Sequence, residues 1–163
     1  MSLTLREARP SDAELLWRWA NDPETRANSF SRAAISYADH VAWLERRLAS
    51  DATRIWIFAA DGVPVGQVRF DISSAVAEIG ITVAPEHRGR GYGKVMLAQA
   101  LQRFHEQTGG RVMPRASVLT KNAASLRLFR DDLSSRPTSR QKEKLLRRGA
   151  RCSAANICEN RDT

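Results

Sequence analysis

Apolar positions recur with two different periods along the chain, and the switches between them mark its elements. Leu3, Leu5 and Ala8 in a polar frame predict an opening strand that ends at Pro10. Ser11 with Glu14 three residues on forms a capping box, after which Leu15, Leu16 and Trp19 share one helical face until Asn21-Asp22-Pro23 stops it. Ser36 with Asp39 opens a second helix the same way, and Tyr37, Val41, Leu44 and Leu48 follow at helical spacing. Residues 54–60 and 63–70 are runs of β-formers around Asp61-Gly62, which predicts a hairpin. Alternation is sharpest over 76–83, with Ile79, Ile81 and Val83 on one face and Glu78, Gly80 and Thr82 on the other. Leu97, Ala100, Leu101 and Phe104 then repeat as a helix up to Gly109-Gly110. A strand near 112–119 precedes a helix capped by Asn122 and carrying Ala123, Leu126 and Phe129. Beyond Asp131 no aromatic residue occurs and Ser, Arg, Thr and Asn dominate, so 131–163 reads as a poorly ordered basic tail beside one domain at 1–130.

The chain has 163 residues, enough for one domain with its own core, and no apolar run approaches the roughly 18 residues that cross a membrane. The first residues lack a basic segment followed by an apolar one, and the only cysteines, Cys152 and Cys158, lie in the tail. These features predict a cytoplasmic protein. The net charge is +8, of which +5 belongs to residues 1–130. An anionic partner is the natural consequence, and Arg suits phosphate in a nucleic acid or in a small ligand alike. Charge alone does not choose between them.

Arg88-Gly89-Arg90-Gly91-Tyr92-Gly93 leaves the clearest strand and opens a helix. Such a loop is either a tight turn or a phosphate cradle in which backbone N–H groups converge on an anion. The dinucleotide fingerprint fails for want of its last spacing, and the P-loop fails because no Ser or Thr follows Lys94.

The run Val83-Ala84-Pro85-Glu86-His87-Arg88-Gly89-Arg90-Gly91-Tyr92-Gly93 resembles the acyl-CoA motif Q/R-x-x-G-x-G/A of the GNAT superfamily of N-acetyltransferases, with Arg88, Gly91 and Gly93 at its fixed positions. Asn122-Ala123-Ala124-Ser125-Leu126-Arg127-Leu128-Phe129 resembles that family's second signature. The resemblance implies an α/β (α+β) fold with a mixed, mostly antiparallel sheet flanked by helices. It also implies acetyl-CoA as cofactor, with its pyrophosphate on the backbone of Arg88, Gly89, Arg90, Gly91, Tyr92, Gly93 and Lys94. The pantetheine would lie along the strand edge at Ile81 and Val83, near Asn122 and Ser125, although plain helix capping accounts equally well for Asn122. Glu78 stands ten residues before Arg88, where several GNAT enzymes carry a general base. A salt bridge from Glu78 to Arg69 is the competing reading. No metal is expected.

Residues 21–30, His40-x-x-Trp43-Leu44 and Gly66-Gln67-Val68-Arg69-Phe70-Asp71 are similar to the GNAT branch that acetylates nucleotide-linked amino sugars for pseudaminic-acid-type glycans. That likeness implies a small-molecule amine acceptor met by Arg26, Asn28, Phe30 and Arg69, with neither nucleic acid nor membrane as partner. Enzymes acetylating protein amino termini share the flavour of Trp19-x-x-Asp22-Pro23-Glu24 and are the alternative. A non-catalytic CoA binder and a basic nucleic-acid-binding module are readings of other classes. Trp17, Trp19 and Trp43 are either core residues or a surface for a sugar or base. His40 and His105 are expected to face solvent and His87 to be a solvated loop residue. Two departures from the family matter. Phe129 occupies the place of the usual acid Tyr, and 131–163 lacks the Gly-Phe turn and the two closing strands, predicting an open sheet edge and a tendency to form a swapped homodimer.

Overall fold

The computed structural model describes residues 2–133 and 157–160. The chain runs β1 (Leu3–Glu7), α1 (Ala13–Asn21), α2 (Pro23–Ala27), α3 (Tyr37–Leu48), β2 (Thr53–Ala60), β3 (Val63–Ser73), β4 (Val76–Val83), α4 (Tyr92–Thr108), β5 (Met113–Leu119), α5 (Ala123–Leu133) and β6 (Ile157–Asn160). The strands form one sheet in sequence order; β1 to β4 are antiparallel, and β5 and β6 are each parallel to the strand before. This is the mixed α+β architecture that the element order implies.

Alternation along β2 divides the core in two. Trp56 and Phe58 point towards α4 and α5, joining Val65, Val68, Phe70, Met96, Leu97 and Phe104, with the Phe70 and Phe104 rings stacked 4.3 Å apart. Ile55 and Ile57 point the other way, onto Leu16 and Trp19 of α1 and Leu44 of α3. These two helices bury their side of β2. On that same side β3 and β4 present Gln67, Arg69 and Asp71 opposite Thr82, Gly80 and Glu78, a polar floor. The hairpin turn carries Asp61 at φ 47° and Gly62 at φ 83°, as the Asp-Gly signal requires.

Gly66 is where the backbone admits no side chain. A Cβ there would strike the Thr82 carbonyl and lie 2.6 Å from the Met96 methyl, which is fully buried. Gly66→Ala is expected to cost about 1–3 kcal/mol by overpacking. Thermal unfolding of the variant checks this; an unchanged midpoint would show that β4 and α4 yield freely.

The sequence-based expectations need several corrections here. Ser11 does not cap α1: the chain first makes a 3-10 turn over Pro10–Asp12, and Asp12 accepts from the Arg9 N–H at 2.7 Å and from both terminal nitrogens of Arg6 at 2.8 Å. That carboxyl, first through the Arg6 bonds, is held below the usual carboxylate range. Ser36 does cap α3, through the Asp39 N–H at 3.1 Å, but the helix buries His40 and Leu44 and leaves Tyr37 about half exposed against the edge of Trp17. Finally, the sheet does not end at β5, because Ile157–Asn160 pairs in parallel with Ala116–Leu119. The rest of the expected tail lies outside the described residues.

Candidate active site

β4 and β5 pair only over Val76, Ala77 and Glu78 against Met113, Pro114 and Arg115. Beyond Glu78 they part: β5 turns its pairing to β6 from Ala116 onward, while among the described residues no strand covers that edge of β4 over Ile79–Val83. A strand edge with unpaired amide and carbonyl groups is a template for another extended chain. Ile81 and Val83 lie on it, their side chains packed partly into the core beneath.

The glycine loop sits at the open end of this gap. Gly89 at φ 72° and Gly91 at φ 80° are left-handed, a conformation that glycine adopts without strain. Nothing lies within 4 Å of a Cβ at either position, so the requirement is conformational and the space above is open. Gly91 is the N-cap of the 17-residue α4, which has no side-chain cap and no acidic residue in its first turn. Its first N–H groups therefore concentrate positive potential with no side chain to neutralise it. Arg90 and Lys94 are exposed beside this end, whereas Tyr92 turns its ring into the core, leaving the backbone as its contribution to the loop. At Gly93 a Cβ would sit 3.6 Å from both Leu128 and Val83, ordinary contact, so this position does not demand glycine on steric grounds.

Arg88 behaves differently from its neighbours. Its guanidinium leaves the loop and binds Asp22 at 2.6 Å, Thr25 Oγ1 at 3.0 Å and Glu24 at 2.9 Å. Asp22 is also the N-cap of α2, accepting from the Thr25 N–H at 3.0 Å. Burial alone would raise the Asp22 carboxyl, but the Arg88 and Thr25 hydrogen bonds outweigh it and hold the group below its ordinary range. A shallow cavity of about 400 Å³ lies beside this contact, between Trp17, Trp19 and Asp22 on one wall and Pro85 and Glu86 on the other.

On the polar floor, Glu78 stands where the two strands part. Its Oε2 accepts from Arg115 Nε at 2.9 Å, so the expected partner Arg69 is replaced by a residue brought in by the parallel β5 pairing. Arg69 instead donates from Nε to Asp71 at 2.7 Å and lies over Gly80. Arg47 of α3 reaches the other Asp71 oxygen at 3.1 Å, and both guanidiniums lie against the Trp43 ring, 5.2 Å from its centre for Arg69 and 5.9 Å for Arg47. Gln67 and Thr82 close the row at 3.4 Å. On this partly exposed surface Arg47 and Arg69 thus share Asp71, and Arg115 bonds Glu78. Sequence reasoning included Asp71 only as the end of the 66–71 run and did not single out Arg47 of α3 or Arg115 of β5, which the polar alternation of β3 and β4 does not reach.

The expected acceptor residues divide. Arg69 is on the floor and Phe30 is about two-thirds exposed. Asn28 ends α2 through its backbone N–H. Arg26 turns into its own segment, bonding the carbonyls of Ala20 and Ser31 and the hydroxyl of Ser29, which commits it to holding the loop rather than facing a ligand. Asn122 does cap α5, its Oδ1 accepting from the Ser125 N–H at 3.1 Å. Phe129 is buried in the core. His40, expected in solvent, is 4 % exposed with an unpartnered Nε2, and burial pulls its proton affinity below the ordinary value. His87 is half-buried with its ring edge-on to Tyr92 and its Nδ1 unpartnered, while His105 is exposed. Trp19 is core, Trp17 donates to the Ile35 carbonyl at 2.8 Å, and Trp43 carries the two arginines.

Residues 2–131 match the family described as the acetyltransferase (GNAT) domain. No protein of curated function matches the sequence. Among solved structures the chain is similar to the spermidine N-acetyltransferase of Vibrio cholerae in complex with CoA and spermine, at 22 % identity over 79 % of this chain and 78 % of that one, with a TM-score of 0.70. An aminoglycoside acetyltransferase in complex with coenzyme A is similar at 18 % identity over 80 % and 83 % of the two chains, TM-score 0.67. The ribosomal-protein-alanine N-acetyltransferase of Brucella melitensis is similar at 23 % identity over 78 % and 82 %, TM-score 0.66.

Proposed function

The chain belongs to the GNAT family of acetyltransferases, and from that premise we propose that it moves the acetyl group of acetyl-CoA to a primary amine held on the polar floor of β3 and β4, the amine of a nucleotide-linked amino sugar. The observation that carries the reading is the gap opening at Glu78 between β4 and β5, with the uncapped N-terminus of α4 at its end. In this arrangement the pyrophosphate rests on the N–H groups of residues 88–94, and the pantetheine adds to the bare edge of β4 at Ile81 and Val83, near Asn122 and Ser125. The thioester is thereby directed towards Glu78.

The acceptor must attack as a neutral amine. Its nitrogen forms a bond to the acetyl carbon, the C–S bond breaks, and the amine proton passes to Glu78 directly or through one water. N–H groups between Ile81 and Val83 stabilise the transient oxyanion. With Phe129 where the family keeps a Tyr, the sulfur departs as thiolate and takes its proton from solvent, which a thiol pKa of about 8.5 permits.

The floor argues for an anionic acceptor. Arg47 and Arg69 share the single carboxylate of Asp71, an arrangement that disfavours a polyamine, whereas a phosphate-bearing acceptor finds arginine donors beside Trp43. Arg69→Gln is expected to raise KM for a nucleotide-linked amino sugar about 10–100-fold, the worth of a charged hydrogen bond, and to change KM for the free amino sugar little. Equal activity of the wild type on both sugars, or a preference for peptide amino termini, would overturn this acceptor.

A further inference from the structure

We propose that Arg88 is a positioning residue: with Asp22 it forms a strut that makes the order of α2, on the acceptor side, depend on occupancy of the cofactor loop. This rests on the reading of residues 88–94 as the CoA site. α2 has five residues and none of them is buried, so neither its length nor its packing holds it in place. What holds it is polar: the Asp22 cap, the Arg26 bonds to carbonyls on either side, and the three Arg88 contacts. The Arg88–Asp22 contact is the inner one, their side chains 27 % and 14 % exposed, while Glu24 at 66 % is a surface partner worth little.

Arg88 itself is extended, at φ −65° and ψ 158°, and stands directly before Gly89 and Gly91, the two positions with most backbone freedom. A pyrophosphate that pins those glycines also fixes the base of the Arg88 side chain. The guanidinium then holds Asp22, and Asp22 holds the first turn of α2 through its carboxylate and through its carbonyl, which accepts from the Arg26 N–H at 2.9 Å. Cofactor loop and acceptor segment are coupled without a shared ligand contact.

Amide hydrogen exchange with CoA alone as the ligand tests this without knowledge of the acceptor. In the wild type, CoA is expected to slow exchange at the α2 amides of Arg26 and Asn28 by about fivefold or more. In Arg88→Gln, and independently in Asp22→Asn, that protection disappears, while CoA affinity by calorimetry falls by no more than about fivefold, since coupling is reciprocal. Arg88→Lys, which keeps the charge, restores part of the protection. Protection that survives in the Gln and Asn variants overturns the strut, and so does a loss of CoA affinity beyond about 50-fold in Arg88→Gln, which would make the side chain a direct phosphate ligand. Bound CoA without protection in the wild type overturns the strut alone; a wild type that binds no CoA overturns the cofactor reading and the strut with it.

Discussion

Glu78→Gln is expected to lower kcat/KM for acetyl transfer by about 10²–10⁴-fold, the usual contribution of a positioned base. Glutamine keeps the shape of the side chain and an oxygen for Arg115 to donate to, so the strand junction is preserved and only the proton acceptor is lost. The pair is about one-third exposed, and neutralising one partner there costs little stability. CoA affinity, which the proposal places on the loop and the β4 edge, should stay within about threefold of wild type. Rates measured between about pH 6 and 9 give the decisive signature, because without the base the residual activity must follow the fraction of acceptor amine already neutral in solution. A variant with wild-type rates across that range removes Glu78 from the chemistry.

Gly91→Glu should abolish useful cofactor binding, raising the CoA dissociation constant at least about 100-fold. Two effects combine. A side chain at φ 80° costs about 1–2 kcal/mol of backbone strain, and a carboxylate at the N-cap of α4 occupies the positive end that a pyrophosphate needs. Gly91→Ala carries the strain without the charge and is expected to bind CoA more tightly than the Glu variant at a similar melting temperature. Equal CoA affinities for the two variants would place the pyrophosphate elsewhere.

How far the sequence reveals this molecule depends on the range of the interactions involved. β4 was legible to its ends because alternation, a turn before it and Pro85 after it are all local. The glycine loop was legible because positive φ selects glycine. The start of α1 was misread because a 3-10 turn over Pro10–Asp12 precedes the helix, its Asp12 held by Arg6 on β1, whose approach no periodicity encodes. His40 deceived for a related reason. An imidazole beside Asp39 in the first turns of a helix suggests solvent, yet α3 is rotated so that position 40 shares its inner face with Leu44.

In the site, residue types could be selected but their partners could not. Glu78 could be singled out as a candidate, whereas Arg115 is 37 residues away and meets it through the parallel pairing of β4 and β5. Likewise Arg88 fits a phosphate loop by sequence, and its turn towards Asp22 follows from the placement of α2. β6 was missed because four residues separated from the fold by 23 others carry too weak a pattern to be noticed.

Acetyl transfer from acetyl-CoA at the β4–β5 gap is measured most directly by thiol release, followed in parallel with the acetylated product. The amines to compare are a nucleotide-linked amino sugar, the corresponding free sugar, spermine and a peptide amino terminus. The account predicts amine-dependent release of one CoA thiol per acetyl group transferred, fastest with the nucleotide-linked sugar and slowed by added salt as the arginines of the floor are screened. CoA binding with no thiol release on any of these amines would contradict it and leave a non-catalytic binder; absence of CoA binding together with salt-sensitive binding to nucleic acid would contradict it more completely.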